Sequence, residues 1–88
     1  MQANLSWQGG DGASSKTVEV KLNAGAFVLE ATLPGNATSY EDADLVAAPG
    51  DVVTYRVTAT NAGGSKSIEG AATVPPSDFT TLNILLVA

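Results

Sequence analysis

Apolar and polar side chains alternate strictly from Val53 to Thr60, within residues 51–61, and this alternation constrains the fold more than any other feature of the chain. Val53, Tyr55, Val57 and Ala59 occupy every second position, while threonines and an arginine fill the positions between them. Successive side chains of a β-strand point to opposite faces, so a period of two gives the segment one apolar and one polar face. The pattern predicts a half-buried strand and does not fit an amphipathic helix.

The same period recurs in shorter segments that are separated by glycine, proline and asparagine, the residues that favour turns. The predicted strands cover residues 4–8, 17–23, 27–33, 38–42, 51–61, 67–74 and 79–88. In the third of them, Phe27, Leu29 and Ala31 are expected to share one face. About seven short strands at this spacing indicate an all-β sandwich, with a small barrel as the alternative. A single helical turn is the alternative for residues 42–48.

The residue types that the chain lacks exclude several kinds of chemistry. Its 88 residues include no cysteine and no histidine, which removes disulfides, thiolate metal sites and the commonest general base. Serine and lysine are present, but nothing in the sequence positions a lysine to activate a serine. We therefore predict that the chain is not an enzyme and that it has neither catalytic residues nor a cofactor.

Acidic residues outnumber basic ones by nine to four, and the formal net charge is −5 at pH 7. Nucleic acids and anionic membranes bind clusters of Lys and Arg, so neither partner is predicted. The apolar tail, residues 82–88, is far shorter than the roughly 20 residues that cross a bilayer. The first residues show no secretory signal, since they lack a basic segment followed by an apolar run.

Glu41, Asp42 and Asp44 lie close together in the sequence, and Asp51 follows them. Clustered carboxylates could begin a calcium site, which takes about six to eight oxygen ligands. The chain has no Asp-x-Asp-x-Asp-Gly loop, so a solvated acidic edge in which Asp42 caps a turn is the favoured interpretation. No metal site is predicted.

The motif YRVTATNAGG at residues 55–64 resembles the F strand and the following turn of the fibronectin type III family. Leu5-Ser6-Trp7 is similar to the Leu-x-Trp of the family's second strand, whose Trp packs in the core. The resemblance covers residues 3–76 and implies an immunoglobulin-like Greek-key sandwich with strands B, C, C′, E, F and G. It also implies an extracellular or cell-surface location for the parent protein. Val53 departs from the pattern, because the family usually has a core tyrosine there.

The family's first strand, A, has no counterpart before Leu5, whereas residues 77–88 resemble a strand A placed after the last strand. This order divides the chain into a sandwich at residues 1–76 and a C-terminal strand at residues 77–88, as in a permuted or engineered repeat. In the family, strand A runs in the same direction as strand G, so a chain returning to its own A position must cross the domain. Residues 75–78 span at most about 13 Å, which is shorter than a strand of eight or nine residues.

We therefore expect the C-terminal strand to enter a neighbouring copy, as in donor-strand complementation, which makes the chain its own partner. The predicted strand-exchange interface consists of Leu5, Trp7, Phe79, Leu82, Ile84 and Leu86. Three alternatives remain open: an edge strand antiparallel to strand G, a strand parallel to strand B of the same chain, and a disordered tail.

The alternative function is that of a monomeric recognition or spacer domain that binds protein or polysaccharide through its loops. The resemblance implies that the B–C loop (residues 9–16) and the F–G loop (residues 62–67) lie at one pole of the sandwich. The candidate recognition residues are Asp11, Ser14, Lys16, Asn61, Ser65 and Lys66. These loops are small and carry no aromatic or arginine anchor, which favours a spacer over a tight binder.

Overall fold

The computed structural model describes residues 2–8, 12–76 and 81–87, and these residues form strands and turns but no helix. The strands are β1 (Gln2–Trp7), β2 (Ser15–Leu22), β3 (Val28–Pro34), β4 (Ser39–Asp42), β5 (Val52–Asn61), β6 (Gly64–Thr73) and β7 (Thr81–Leu86). They make a three-stranded sheet in the order β4-β1-β7 and a four-stranded sheet in the order β3-β2-β5-β6. The predicted all-β sandwich of about seven strands is confirmed.

The core lies between the two sheets and follows the alternation read from the sequence. Val53, Tyr55 and Val57 of β5 are buried, and Leu5 and Trp7 of β1 face them from the other sheet. The remaining buried apolar residues are Ala3, Val18, Leu45, Val74, Leu82, Ile84 and Leu86. Alternate residues of β1, β5 and β7 therefore enter one shared core, as a sandwich requires.

A β-bulge changes the predicted orientation of β3. Ala31 pairs with Val18 but Leu29 pairs with Glu19, so Glu30 is an extra residue on β3. A bulge of this kind reverses which face the following residues occupy. Ala31 packs against the core, whereas the side chain of Leu29 is 61% exposed. The prediction that Leu29 and Ala31 share a face is therefore wrong.

Strand β7 pairs with β1 of its own chain, and the two strands are parallel. It runs antiparallel to β6, which it meets where the amide of Val87 donates a 3.3 Å hydrogen bond to the carbonyl of Glu69. The chain therefore reverses direction between the two strands and does not need to cross the length of the domain. The short linker is no obstacle in this arrangement, which is one of the two same-chain alternatives.

The strand ends define two poles. The loop pole holds the β1–β2 connection, the β3–β4 turn, the β5–β6 turn and the end of β7. The opposite pole holds the start of β1 and the β2–β3, β4–β5 and β6–β7 connections. At the loop pole Gly35 lies against Ala13, because a Cβ on Gly35 would stand 1.8 Å from the carbonyl oxygen of Ala13. Only glycine allows the two loops to approach so closely.

Candidate functional site

The C-terminal strand fills a groove between β1 and β6, which we call the β7 slot. Leu82, Ile84 and Leu86 point into the core and are only 4%, 4% and 1% exposed. Asn83 and Leu85, which alternate with them, are exposed. Since burial of an aliphatic side chain is worth roughly 1.5–3 kcal/mol, these three residues make a large contribution to a small core.

The wall of the β7 slot is the inward face of β1. The register places Leu82 beside Ala3, Ile84 beside Leu5 and Leu86 beside Trp7. The structure thus brings together all the described residues of the predicted strand-exchange interface, but it does so within one chain. Phe79, the remaining predicted residue, lies outside the described residues.

Gly70 of β6 forms the other boundary of the β7 slot. A Cβ at this position would lie 2.8 Å from the carbonyl oxygen of Leu85 and 3.1 Å from Cγ2 of Ile84. The absence of a side chain therefore lets β7 lie directly against β6. Gly70 is absent from the predicted interface, although a glycine inside a strand often marks the close approach of another backbone.

A buried hydrogen bond joins the two sheets at the end of β4. The hydroxyl of Tyr55 donates to Oδ2 of Asp42 over 2.6 Å, and burial together with this carboxylate raises the pKa of Tyr55. Asp42 is itself 2% exposed. Its Oδ1 accepts a 3.2 Å hydrogen bond from the amide of Asp44, so Asp42 caps the turn as predicted. The prediction that Asp42 belongs to a solvated edge is wrong, because its side chain is buried.

Glu41 and Asp51 of the predicted cluster have surroundings different from those of Asp42. Glu41 alternates with buried Asp42 and is exposed. Asp51 accepts hydrogen bonds from the amide of Ala48 (2.9 Å) and from the side-chain amide of Asn23 (3.2 Å), and these bonds lower its pKa. Within the described ranges, no three His, Cys, Asp or Glu residues are grouped so that they could hold a metal ion.

Tyr40 and Glu30 interact at the side of the sandwich where β3 and β4 are the edge strands. The Tyr40 hydroxyl donates a 3.1 Å hydrogen bond to Oε2 of Glu30. Burial of the phenol and, second, this hydrogen bond raise the pKa of Tyr40 to about 12. Glu30 is the bulged residue of β3, so the bulge carries a charged group at an edge. The bulge and the charged side chain both hinder pairing with another strand.

The loop pole contains most of the predicted recognition residues, but the β5–β6 connection is shorter than expected. Asn61 pairs with Gly64, which leaves a two-residue turn, and the side chain of Asn61 caps this turn by accepting the Gly63 amide (2.7 Å). Ser65 and Lys66 are therefore strand residues of β6 and not loop residues. They line a shallow groove of about 390 Å³ with Ala13 and Asn61.

Ser14, a predicted residue of the β1–β2 connection, follows Ala13, which lines this groove. Its hydroxyl donates a 2.9 Å hydrogen bond to the carbonyl of Thr60, which fixes the connection to β5. Asp11 lies outside the described residues. The structure therefore places Ser14, Asn61, Ser65 and Lys66 at one pole.

Lys16 is the exception among the predicted recognition residues, because it is buried. It belongs to β2, its side chain is 2% exposed, and it alternates inward together with Val18. Its Nζ donates a 2.7 Å hydrogen bond to the carbonyl of Ala37, which also accepts a 3.1 Å hydrogen bond from the indole N–H of Trp7. Lys16 thus secures the β3–β4 turn and is not available to an external partner. Trp7, 4% exposed, packs in the core as expected.

Two further basic residues are engaged on the outer face of the four-stranded sheet. The guanidinium carbon of Arg56 lies 4.0 Å and Nζ of Lys21 lies 5.1 Å from the ring centre of Phe27. Nε of Arg56 also donates a 2.9 Å hydrogen bond to Glu19, which lowers the pKa of the Glu19 carboxyl. Among the residues that line the groove at the loop pole, Lys66 is the basic one.

Comparison with protein-family models, curated proteins and solved structures finds no match to this chain. In the described part of the chain, no helix is long and apolar enough to cross a membrane.

Proposed function

We propose that this chain is a non-catalytic module of the fibronectin type III kind that serves as a spacer in an extracellular or cell-surface protein. The observation that carries the proposal is the parallel pairing of β1 with β7. Because the two terminal strands run in the same direction, the chain enters the domain at the opposite pole and leaves it at the loop pole. The core residues of β7 come from the same chain, so one copy completes its own sandwich.

The strand order supports the family assignment. In family terms the two sheets read E, B and the A position, and C′, C, F and G. The motif at residues 55–64 lies on β5 and the turn after it, the F position. The direction of β7 departs from the family, whose strand A runs antiparallel to strand B.

The chemistry of the side chains supports a non-catalytic role. Lys16, the base closest in sequence to Ser14 and Ser15, is buried and bonded to a backbone carbonyl. A serine nucleophile needs an adjacent base, and the chain has no histidine to supply one. The loop pole offers hydroxyl, amide and ammonium groups, which suit a weak polar contact with protein or polysaccharide.

Strand exchange between copies is the second candidate function, and the separability of β7 favours it. This strand is terminal, and its core contacts are made with β1, β5 and β6. A β7 donated by a neighbour could make the same contacts in the same slot, so exchange would cost little contact energy. The stiff Pro75-Pro76 pair between β6 and β7 could hold the strand away from its own body.

The solution mass distinguishes the two candidates. Light scattering after size exclusion, over a wide concentration range, should give the 8.9 kDa monomer if the chain closes its own sandwich. Dimers or larger species that grow with concentration, and that disappear when the chain ends at Ser77, would establish exchange and overturn the monomeric spacer.

A matched pair of substitutions sharpens this test. Ile84→Asp places a charge in the core, whereas Leu85→Asp changes the exposed neighbour on the same strand. For a monomeric spacer, Ile84→Asp lowers the free energy of unfolding and neither substitution changes the mass of the folded protein. For strand exchange, Ile84→Asp also abolishes the assembly while Leu85→Asp retains it.

A further inference from the structure

The pairing of the terminal strands determines how tension on the chain acts on them. Six residues of β1 pair in parallel with six of β7, from Gln2 with Thr81 to Trp7 with Leu86. Tension applied to the chain before Gln2 and after Val87 therefore pulls the two neighbouring strands in opposite directions along their own axes.

We propose that the β1–β7 pair is a shear clamp through which the module carries tension applied at its two ends. This inference rests on the proposed spacer function and states how the spacer bears load. The hydrogen bonds of a parallel pair are evenly spaced and run at a slant from one strand to the other, so they cross the direction of pull. All of these bonds share the load in shear. In peeling, by contrast, the bond at the end of the strand breaks before the others.

The side chains of β7 oppose sliding as well. Moving the strand by one residue would turn Leu82, Ile84 and Leu86 toward water and place Asn83 and Leu85 in the core. Moving it by two residues would keep the faces but would drag three buried side chains past Leu5 and Trp7. Register is therefore fixed by the same residues that fill the β7 slot.

The strands on either side hold the clamp in place. β4 pairs with the other edge of β1, from Ala3 with Asp42 to Ser6 with Ser39. On its far side β7 lies against Gly70 and is bonded to Glu69 through the amide of Val87. The pair cannot twist away from the body of the domain without breaking these contacts, so the load stays in shear.

Single-molecule force spectroscopy on the full chain tests the clamp by comparing two pulling directions. One protein carries handles at its two ends, which loads the β1–β7 pair in shear. The other carries one handle at the C-terminal end and one on Gln8→Cys, a unique attachment point in a chain without cysteine. Gln8 is exposed and follows β1 at the pole where β7 ends, so this direction peels the strands apart one pair at a time.

We expect unfolding at equal force to be at least about tenfold slower in shear than in peeling, since a barrier difference of 1.36 kcal/mol already gives that factor. Rates under force report the unfolding barrier directly. Equal rates, or faster unfolding in shear, would overturn the clamp. The comparison leaves β1 and β7 unaltered, so it does not depend on whether a clamp variant folds.

The force experiment tests the clamp, and light scattering tests the spacer function, so each proposal can fail without the other. A protein that is monomeric by light scattering and shows no difference between the two directions refutes the clamp and leaves the spacer proposal standing. A protein that assembles through exchange of residues 77–88 refutes the spacer proposal, and its individually tethered chains still report on the clamp.

Discussion

The hydroxyl of Tyr55 on β5 donates a 2.6 Å hydrogen bond to the carboxylate of Asp42 at the end of β4, and both residues are buried. This bond is a polar link between the two sheets inside a mainly apolar core. A buried acceptor that loses its donor retains its desolvation cost, so the bond matters more when broken than its net contribution suggests.

Tyr55→Phe should therefore lower the free energy of unfolding by about 1–3 kcal/mol. Tyr40→Phe is the matched control, because it removes a hydroxyl whose bond to Glu30 is only partly buried, and should cost about 0.5–1.5 kcal/mol. Urea denaturation measures both, as a change of midpoint at constant slope. Equal losses for the two variants would show that burial does not strengthen the Asp42 bond.

Alkaline pH should destabilise the protein through the same two phenols. Folding raises the pKa of Tyr40 from 10.0 to about 12 and raises that of Tyr55 as well. Below about pH 10 both phenols are protonated in either state, so their contribution is complete. Between pH 10 and about 12 the unfolded chain releases protons that the folded chain keeps, and the free energy of unfolding falls.

Tyrosinate absorbance provides the measurement, since the chain has two tyrosines in all. In denaturant both should ionise near pH 10, whereas in the native protein ionisation should be delayed and should coincide with loss of structure. Ionisation near pH 10 without unfolding would contradict the burial that raises both pKa values.

Gly70→Val should weaken the β7 slot. The new side chain would meet the backbone of Leu85 and the side chain of Ile84, and over-packing of this kind costs about 1–3 kcal/mol. Ala71→Val is the control, because it adds bulk to the next residue of β6, which is exposed. Denaturation measures stability, and hydrogen exchange locates the loss. We expect faster exchange in β7 for Gly70→Val alone, and an unchanged β7 would contradict the close approach of the two backbones.

Two substitutions at Asn23 should separate backbone conformation from side-chain bonding. Asn23 has a positive φ of 54°, a conformation that costs most side-chain-bearing residues roughly 1–2 kcal/mol. The side-chain Oδ1 of Asn23 also accepts a 2.9 Å hydrogen bond from the backbone amide of Val52, and its Nδ2 donates to Asp51. Asn23→Gly removes the side-chain bonds alone, whereas Asn23→Ala also imposes the strain.

Thermal or urea unfolding should therefore rank the wild type above Asn23→Gly and Asn23→Gly above Asn23→Ala. The two variants should differ by about 1 kcal/mol, as expected for the advantage of glycine at positive φ. If Asn23→Ala were as stable as Asn23→Gly, the turn would be relaxing to another conformation.

The strands were predictable from the sequence because their alternation is local. Val53, Tyr55 and Val57 are buried as the period of two requires. The bulge at Glu30 was not predictable, since a single extra residue leaves the composition of β3 unchanged and alters only its register with β2.

The direction of β7 was also not predictable from the sequence. Leu82, Ile84 and Leu86 alternate in the same way whichever end is read first, so the pattern fits a parallel and an antiparallel strand alike. Exchange between copies is expected only for a strand that runs in the same direction as β6, and β7 runs antiparallel to β6.

The burial of Lys16 depends on an acceptor 21 residues away in sequence, the carbonyl of Ala37. Residue type alone places lysine on the surface, because an unpaired charge in the core is costly. Only the folded arrangement, which brings the β3–β4 turn to β2, supplies the partner that makes an inward lysine tolerable.

The carbonyl that Lys16 shares with Trp7 also gives the protein an intrinsic optical probe. Trp7 is the one tryptophan of the chain, and its indole N–H is bonded to the β3–β4 turn. The side-chain nitrogen of Lys16 is bound to the same oxygen and therefore lies near the indole N–H. Any event that displaces this turn should therefore change the wavelength and intensity of a single emission band, without an added dye.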